Sequence, residues 1–320
     1  MVSKSPTPDG KIFLPRRLAH ANIFVSDYEK ACNYYHYILG FVEAYRQPDN
    51  LASFLSNGNT YHDFALVDVK SRYSKPGQRP GLNHMAFEVD SEAELVAAYN
   101  RGLESGVKYL GAANHDVAYS IYLKDPDGNE VEFYADVVED WSEFRRGTII
   151  KKKPEWIPGV TNTPDARHLY NPNPKMKMVD GAVTRGKRVT HMGIVARDYP
   201  AMYHFYTTVC GLTPVYGGLD KNYVLLAGTA SSGDIALYKD GPQPGMHQIG
   251  IEVWSESDLD AVLAQQAGQQ PKVIKHIDHP ARRVVCVEDM DGLVIQLYVN
   301  RDWNPAQLEN IKEEDLIYFL

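Results

Sequence analysis

Apolar residues fall along this chain in short runs separated by turn-forming clusters, with a few stretches of helical spacing between them. Leu18–Val25 is an apolar-rich run that reads as a strand. It ends near Asp27, a residue well placed to cap a helix that closes on Leu39-Gly40-Phe41, with glycine suited to a left-handed stop. Short runs follow at 41–48, 51–57 and 62–68. A further strand, His84–Val89, precedes Ser91-Glu92-Ala93-Glu94, a capping box that opens a helix of about ten residues. Strands ending at Glu132-Phe133-Tyr134 complete the set, the last of them introduced by the turn Asp125-Pro126-Asp127-Gly128.

The same order then returns. Leu18-Ala19-His20 through Asp27-Tyr28 matches Val189-Thr190-His191 through Asp198-Tyr199, and the helix stop recurs at Cys210-Gly211-Leu212. Short runs recur at 213–217, 222–227 and 234–238. Gln248–Val253 then precedes Ser255-Glu256-Ser257-Asp258 and a second helix, and the series ends at Gln296-Leu297-Tyr298 after the turn Asp289–Gly292. The pattern predicts an α+β fold of four βαβββ units paired into two open, barrel-like domains. Residues 1–138 form the first and 188–300 the second. Between them, 139–187 lacks periodicity and holds Pro154, Pro158, Pro164, Pro172 and Pro174, which predicts a partly ordered linker. The tail 301–320 predicts a short helix around 305–315 and a final apolar strand or clasp.

With 320 residues the chain is long enough for two domains, and 44% hydrophobic with 23% charged residues is an ordinary globular composition. A formal charge of −8 argues against nucleic acid or an anionic membrane as the main partner. Lys151-Lys152-Lys153 reads as a solvated loop. Cys32, Cys210 and Cys286 are too few and scattered for a disulfide framework or a thiolate zinc site. No apolar leader segment and no run of membrane-spanning length is present, so the expected location is the cytoplasm.

The candidate chemistry lies in the first half. His20, His84 and Glu132 each sit at the start or end of an expected strand, and two imidazoles with one carboxylate form the facial ligand set of non-haem Fe(II) oxygen chemistry. Aligning the halves tests each position. His20 pairs with His191 at an offset of 171, but His84 pairs with Gln248 and Glu132 with Gln296, both at an offset of 164. His62 pairs with Gly233 and Tyr122 with Cys286; of the candidates, the second half keeps His191 and His279. A ligand role for His247 would need a one-residue slip, which turns the side chain to the other face. The second half therefore reads as scaffold. His36, His168, His204 and His276 lack any such context, and the 21 tyrosines decorate amphipathic elements.

The segment from His115 to Glu132 satisfies His-x(5–7)-apolar-Tyr-x₂-Asp-Pro-x-Gly-x(2–3)-Glu, with Tyr122, Asp125, Pro126 and Gly128 at the named positions. On these residues the chain resembles the vicinal-oxygen-chelate superfamily, and within it the type I extradiol ring-cleaving dioxygenases. The resemblance implies iron ligands at His20, His84 and Glu132 and an acid–base histidine at His62. It implies further that His115 and Tyr122 contact substrate oxygens. Two-domain members usually hold the metal in the C-terminal half, whereas here the surviving residues put it in the N-terminal half. The implied activity is extradiol cleavage of a catechol-type diol with Fe(II) and O₂ as co-substrate; Mn(II) tolerates the same ligands. The expected partner is a small aromatic diol, and a homo-oligomer is the expected assembly. Two other readings share this scaffold: a glyoxalase-like lyase using Zn²⁺ or Ni²⁺ with a fourth carboxylate ligand, and a non-catalytic small-molecule binder.

Overall fold

A computed structural model describes residues 10–150, 154–266 and 268–320. The first nine residues and Lys151–Lys153, which bear on the leader and loop expectations, lie outside the described residues. The elements run β1 (Pro15–Val25), α1 (Tyr28–Tyr37), β2 (Glu43–Gln47), β3 (Ala52–Leu55), β4 (Phe64–Asp68), β5 (Gly81–Val89), α2 (Glu92–Glu104), β6 (Tyr109–Asn114), β7 (Ala118–Lys124), β8 (Glu130–Asp136) and β9 (Gly147–Thr148). They continue with β10 (Gly186–Val195), α3 (Tyr199–His204), β11 (Thr213–Gly217), β12 (Tyr223–Ala227), β13 (Ile235–Tyr238), β14 (Gly245–Val253), α4 (Glu256–Leu263), β15 (Lys272–His279), β16 (Arg282–Glu288), β17 (Val294–Asn300) and α5 (Glu313–Phe319). The caps are those the sequence predicts: Asp27 accepts from the Lys30 amide, Ser91 from Glu94, and Ser255 with Asp258 closes a capping box.

One sheet has the strand order β6-β7-β8-β5-β1-β4-β3-β2-β9 and the other β11-β12-β13-β10-β14-β17-β16-β15. Read backwards, the second order reproduces the first eight strands of the first. Within each half the outer strands of a unit pair in parallel, β1 with β4 and β5 with β8, and the two units join through antiparallel β1–β5. Each sheet thus curls into a cup, an α+β architecture of four βαβββ units.

The halves interlock through reciprocal contacts. The Leu18 amide donates to Asp234 (2.7 Å) and the equivalent Val189 amide donates to Asp63 (3.2 Å). Tyr35 donates to Asp289 and Tyr206 to Asp125, each at 3.1 Å. The Ser26 amide reaches Asp291 and the Arg197 amide reaches Asp127. Every pair maps onto its mate by the offsets of the repeat, so the chain buries a two-fold-like interface with itself. Gly40 and Gly211, both at positive φ, allow the approach: a Cβ would strike the Thr184 carbonyl at one and the Phe13 carbonyl at the other.

The segment after β8 is ordered in places. It crosses to the opposite edge of the first sheet, where β9 pairs with β2, and Trp156 then stacks on Tyr119 at 4.6 Å. The tail departs from expectation only at its end. A 3₁₀ turn spans Pro305–Asn310, and the apolar end forms helix α5 where a strand or clasp was expected. Leu316, Phe319 and Leu320 recur at helical spacing and are buried together, which favours the helix. No helix among the described residues is long and apolar enough to cross a membrane.

Candidate metal centre

Strand register brings the predicted ligands together. His20 on β1 lies opposite Ala86 on β5, and Ala86 lies opposite Glu132 on β8. His84, two residues before Ala86, shares its face of the sheet. The small Ala86 leaves space in the middle of the row, and His20, His84 and Glu132 converge there. Their donor atoms all lie within 4.8 Å of one another, the one such group among the described residues. His20 Nε2 and His84 Nε2 stand 3.4 and 3.0 Å from the same Glu132 oxygen.

The protonation states suit a cation. Burial lowers the His20 imidazole below its usual value and so keeps it neutral. Burial opposes the charge on Glu132, but the adjacent His20 and His84 imidazoles outweigh it and hold the carboxyl well below the carboxylate range. His84 Nδ1 lies 2.9 Å from Asn83 Oδ1, which directs Nε2 into the cup. Both ring nitrogens of His20 and Glu132 Oε1 are buried without a hydrogen-bond partner. Unmade bonds of this kind are costly, and a divalent ion would partner one His20 ring nitrogen and the Glu132 carboxylate. The donor set fits Fe(II) or Mn(II).

The other three expected residues border the same cavity, of about 470 Å³. His62, just before β4, sits with its ring 4.1 Å from that of His20. Burial holds its imidazole well below the usual value, so it is a neutral acceptor; Nδ1 faces the Tyr45 hydroxyl at 3.4 Å and Nε2 has no hydrogen-bond partner. Tyr122 on β7 is directly opposite Glu132, and its hydroxyl meets His115 Nε2 at 3.0 Å. Burial and the Glu132 charge push the Tyr122 phenol well above its usual value, which keeps it protonated.

Sequence reasoning missed several lining residues. Asn22 follows His20 on the same face, a position that strand alternation alone supplies. Tyr45 stacks on Phe54 at 4.3 Å, and Phe24, Ala52, Phe54 and Val67 form an apolar wall. Arg145, from the crossing segment, lines the cavity and donates to the His115 carbonyl; nothing in the sequence signals it.

The second cup has the same register and a different filling. His191 lies opposite Gly250, which lies opposite Gln296, and a Cβ at Gly250 would collide with the His191 ring. Gln248 stays opposite Gly193, as His84 stays opposite Asn22, so there is no slip that would bring in His247. Gln248 donates to the Leu320 carbonyl (2.8 Å) and Gln296 to that of Tyr318 (2.7 Å). The tail fills the cup, and the residues at two former ligand positions hold it there.

Residues 17–133 match the Glyoxalase/Bleomycin resistance protein/Dioxygenase superfamily. Among curated relatives, catechol-2,3-dioxygenase of Bacillus subtilis (strain 168) is 25% identical over 244 residues, covering 74% of this chain and 75% of that protein. Biphenyl-2,3-diol 1,2-dioxygenase 3 of Rhodococcus globerulus is 29% identical over 123 residues, 38% of this chain and 63% of that protein. Among solved structures, the 2,3-dioxygenase LapB from Pseudomonas sp. KL28 superposes with a TM-score of 0.66 at 15% identity, covering 92% of this chain and 97% of that one.

Proposed function

We propose, from the premise that residues 17–133 are a domain of the Glyoxalase/Bleomycin resistance protein/Dioxygenase superfamily, that this chain is an extradiol dioxygenase acting on a small aromatic vicinal diol. The observation that carries the reading is the convergence of His20, His84 and Glu132 in a buried cup with unmade hydrogen bonds. These three would hold a divalent iron on one face, leaving its other face to the cavity. When bound, the iron would supply Lewis acidity toward the diol oxygens and the electron density that dioxygen needs. Glu132 would offset part of the cation's charge, which imidazole ligands do not.

The remaining residues act on protons and position. His62, neutral and with Nε2 free of protein partners, would accept a diol proton and later return it. Tyr122, kept protonated by its surroundings, would donate to a substrate oxygen, with His115 fixing its hydroxyl. The wall of Phe24, Phe54 and Val67 would seat the ring's edge and exclude water from the reacting face.

The lyase-type reading needs a fourth protein ligand, a carboxylate, for which Asp63, just before β4, is the candidate. Asp63 instead accepts the Val189 and Asn57 amides at 3.2 Å each, facing the second half. The deciding experiment loads the full chain anaerobically with Fe(II), then follows oxygen uptake and the yellow ring-cleavage product over a panel of catechols. Uptake coupled to product is expected. No uptake with any catechol by iron-replete protein would overturn the assignment.

A further inference from the structure

A second cavity, of about 390 Å³, lies where β1 meets the second half and shares no lining residue with the metal cup. Its character follows from comparing equivalent positions in the two halves. In the first, Arg16 and Arg17 pair with Glu88 and Asp90, two cations against two carboxylates, beside Asp136, whose carboxyl burial pushes well above its usual value. In the second, Arg16 and Arg17 become Lys187 and Arg188, and Glu88 remains as Glu252. Asp90 becomes Trp254, Asp136 becomes Asn300, and Ala118 becomes Arg282. Lys187, Arg188 and Arg282 now stand against Glu252, and the cavity itself is lined by Arg17, Arg188 and Arg282 with Glu252 and Asp234. The paired positions Ala118–Asp136 and Arg282–Asn300 occupy the same place in the ladder, so the change is not one of register.

Arg282 is the unusual member. It is only 5% exposed, yet no carboxylate among the described residues lies within ion-pair distance. Its guanidinium donates to Asn300 Oδ1 (2.7 Å) and the Phe319 carbonyl (3.1 Å), both neutral acceptors. The rings of Tyr298 and Trp303 lie over it at 4.0 and 3.8 Å. Burial pulls its pKa down to about 10, which still leaves it charged at neutral pH. A buried cation without a counter-charge is costly, and this one lines a polar cavity. The two carboxylates that also line it are already engaged. Glu252 is held by Lys187 and Arg188 at 2.7 Å each. Asp234 accepts the Leu18 and Gly228 amides and the Ser231 hydroxyl.

We propose that this cavity binds a small oxyanion, a phosphate or a carboxylate, with Arg282 as the buried anchor and the half-exposed Arg188 as the second cation. A planar fork of donors matches either group, which an ammonium would not. The site is separate from the metal cup, so it stands whether or not the chain cleaves catechols.

The test is calorimetric titration of the full chain with inorganic phosphate and, separately, with succinate, at constant ionic strength set by chloride. Saturable one-site binding is expected for at least one of them, and which one binds identifies the source of the oxyanion. Arg282→Gln should weaken that binding at least tenfold and Arg188→Gln several-fold. Arg167→Gln, at an exposed position away from the cavity, should leave it unchanged. Absence of saturable binding for both anions overturns the proposal, as does unaltered affinity in the Arg282 and Arg188 variants. If Arg282→Gln does not fold, Arg188→Gln decides alone, and unchanged affinity in it counts as refutation.

Discussion

Phe319→Ala should destabilise the second half strongly while leaving the metal centre untouched. Phe319 and Leu320 are fully buried, and the residues they occupy space beside include the former ligand positions. Truncating a fully buried phenylalanine costs about 3–5 kcal/mol where the surroundings cannot collapse. Collapse is limited here, because Gln248 and Gln296 hold the tail backbone and Arg282 donates to the Phe319 carbonyl. If the tail instead lets go, each glutamine amide loses its buried partner, at about 1–3 kcal/mol apiece. Either route lowers stability by several kcal/mol. Trp303, whose ring lies 6.3 Å from that of Phe319, reports on the loss by fluorescence in a urea titration. Metal content, measured on the same sample, should match wild type. A loss under about 1 kcal/mol would show that the tail does not fill a packed core. Loss of metal with the first half folded would show that the two cups are not independent.

Glu132→Gln makes in the first cup the change that Gln296 represents in the second, and it should abolish stoichiometric metal binding with an unchanged circular dichroism spectrum; full metal and activity in this variant refute the triad. His62→Gln should retain metal and slow turnover by roughly 10²–10⁴-fold, the usual worth of acid–base catalysis; metal loss would make His62 a ligand. His20→Ala should lose metal and turnover, whereas His191→Ala should keep both, and metal lost only from the His191 variant would reverse the assignment of halves. Burial lowers His191 from 6.5 to about 3, so below pH 6.5 the unfolded chain takes up a proton that the folded chain refuses. Stability attributable to His191 therefore falls by about 1.4 kcal/mol per pH unit from there toward the folded value, and His191→Gln should flatten urea midpoints measured between pH 7 and 5; an unchanged slope counts against it.

Much of this arrangement was legible in the sequence because it depends on local periodicity. Their place at the ends of expected strands and the aligned repeat singled out His20 and His84, and the repeat together with the His115–Glu132 signature singled out Glu132. What escaped is held by irregular backbone at long range. Arg145 reaches the cavity only because its segment crosses from β8 to the edge of β2, and no spacing rule encodes that path. The tail's apolar residues were visible, but their destination was not, since it depends on a cup left vacant by substitutions elsewhere in the chain. The signature residue Asp125 read as a turn former, and it is one, accepting from the Asn129 amide at 2.8 Å; its contact with Tyr206 needed the second half in place.

Comparison of the halves separates two kinds of position. Four pairs of side chains that interlock the halves are identical in both: Asp63 and Asp234, Tyr35 and Tyr206, Asp125 and Asp289, Asp127 and Asp291; Tyr34 and Asn57, which reach the Glu288 and Gly186 carbonyls, have Phe205 and Gly228 at the matching positions. The cup positions differ: His62 against Gly233, His84 against Gln248, Tyr122 against Cys286 and Glu132 against Gln296. His115, retained as His279, and His20, retained as His191, are the exceptions, and for His191 its contacts account for it. Its Nδ1 faces the Thr190 hydroxyl at 2.9 Å, and its ring occupies the space that Gly250 leaves open. A histidine that packs in this way needs no metal. These reciprocal contacts constrain both halves alike, because each half contributes a matching member, while metal chemistry would constrain only the cup that performs it. The other cup is free to become a socket for the chain's own tail.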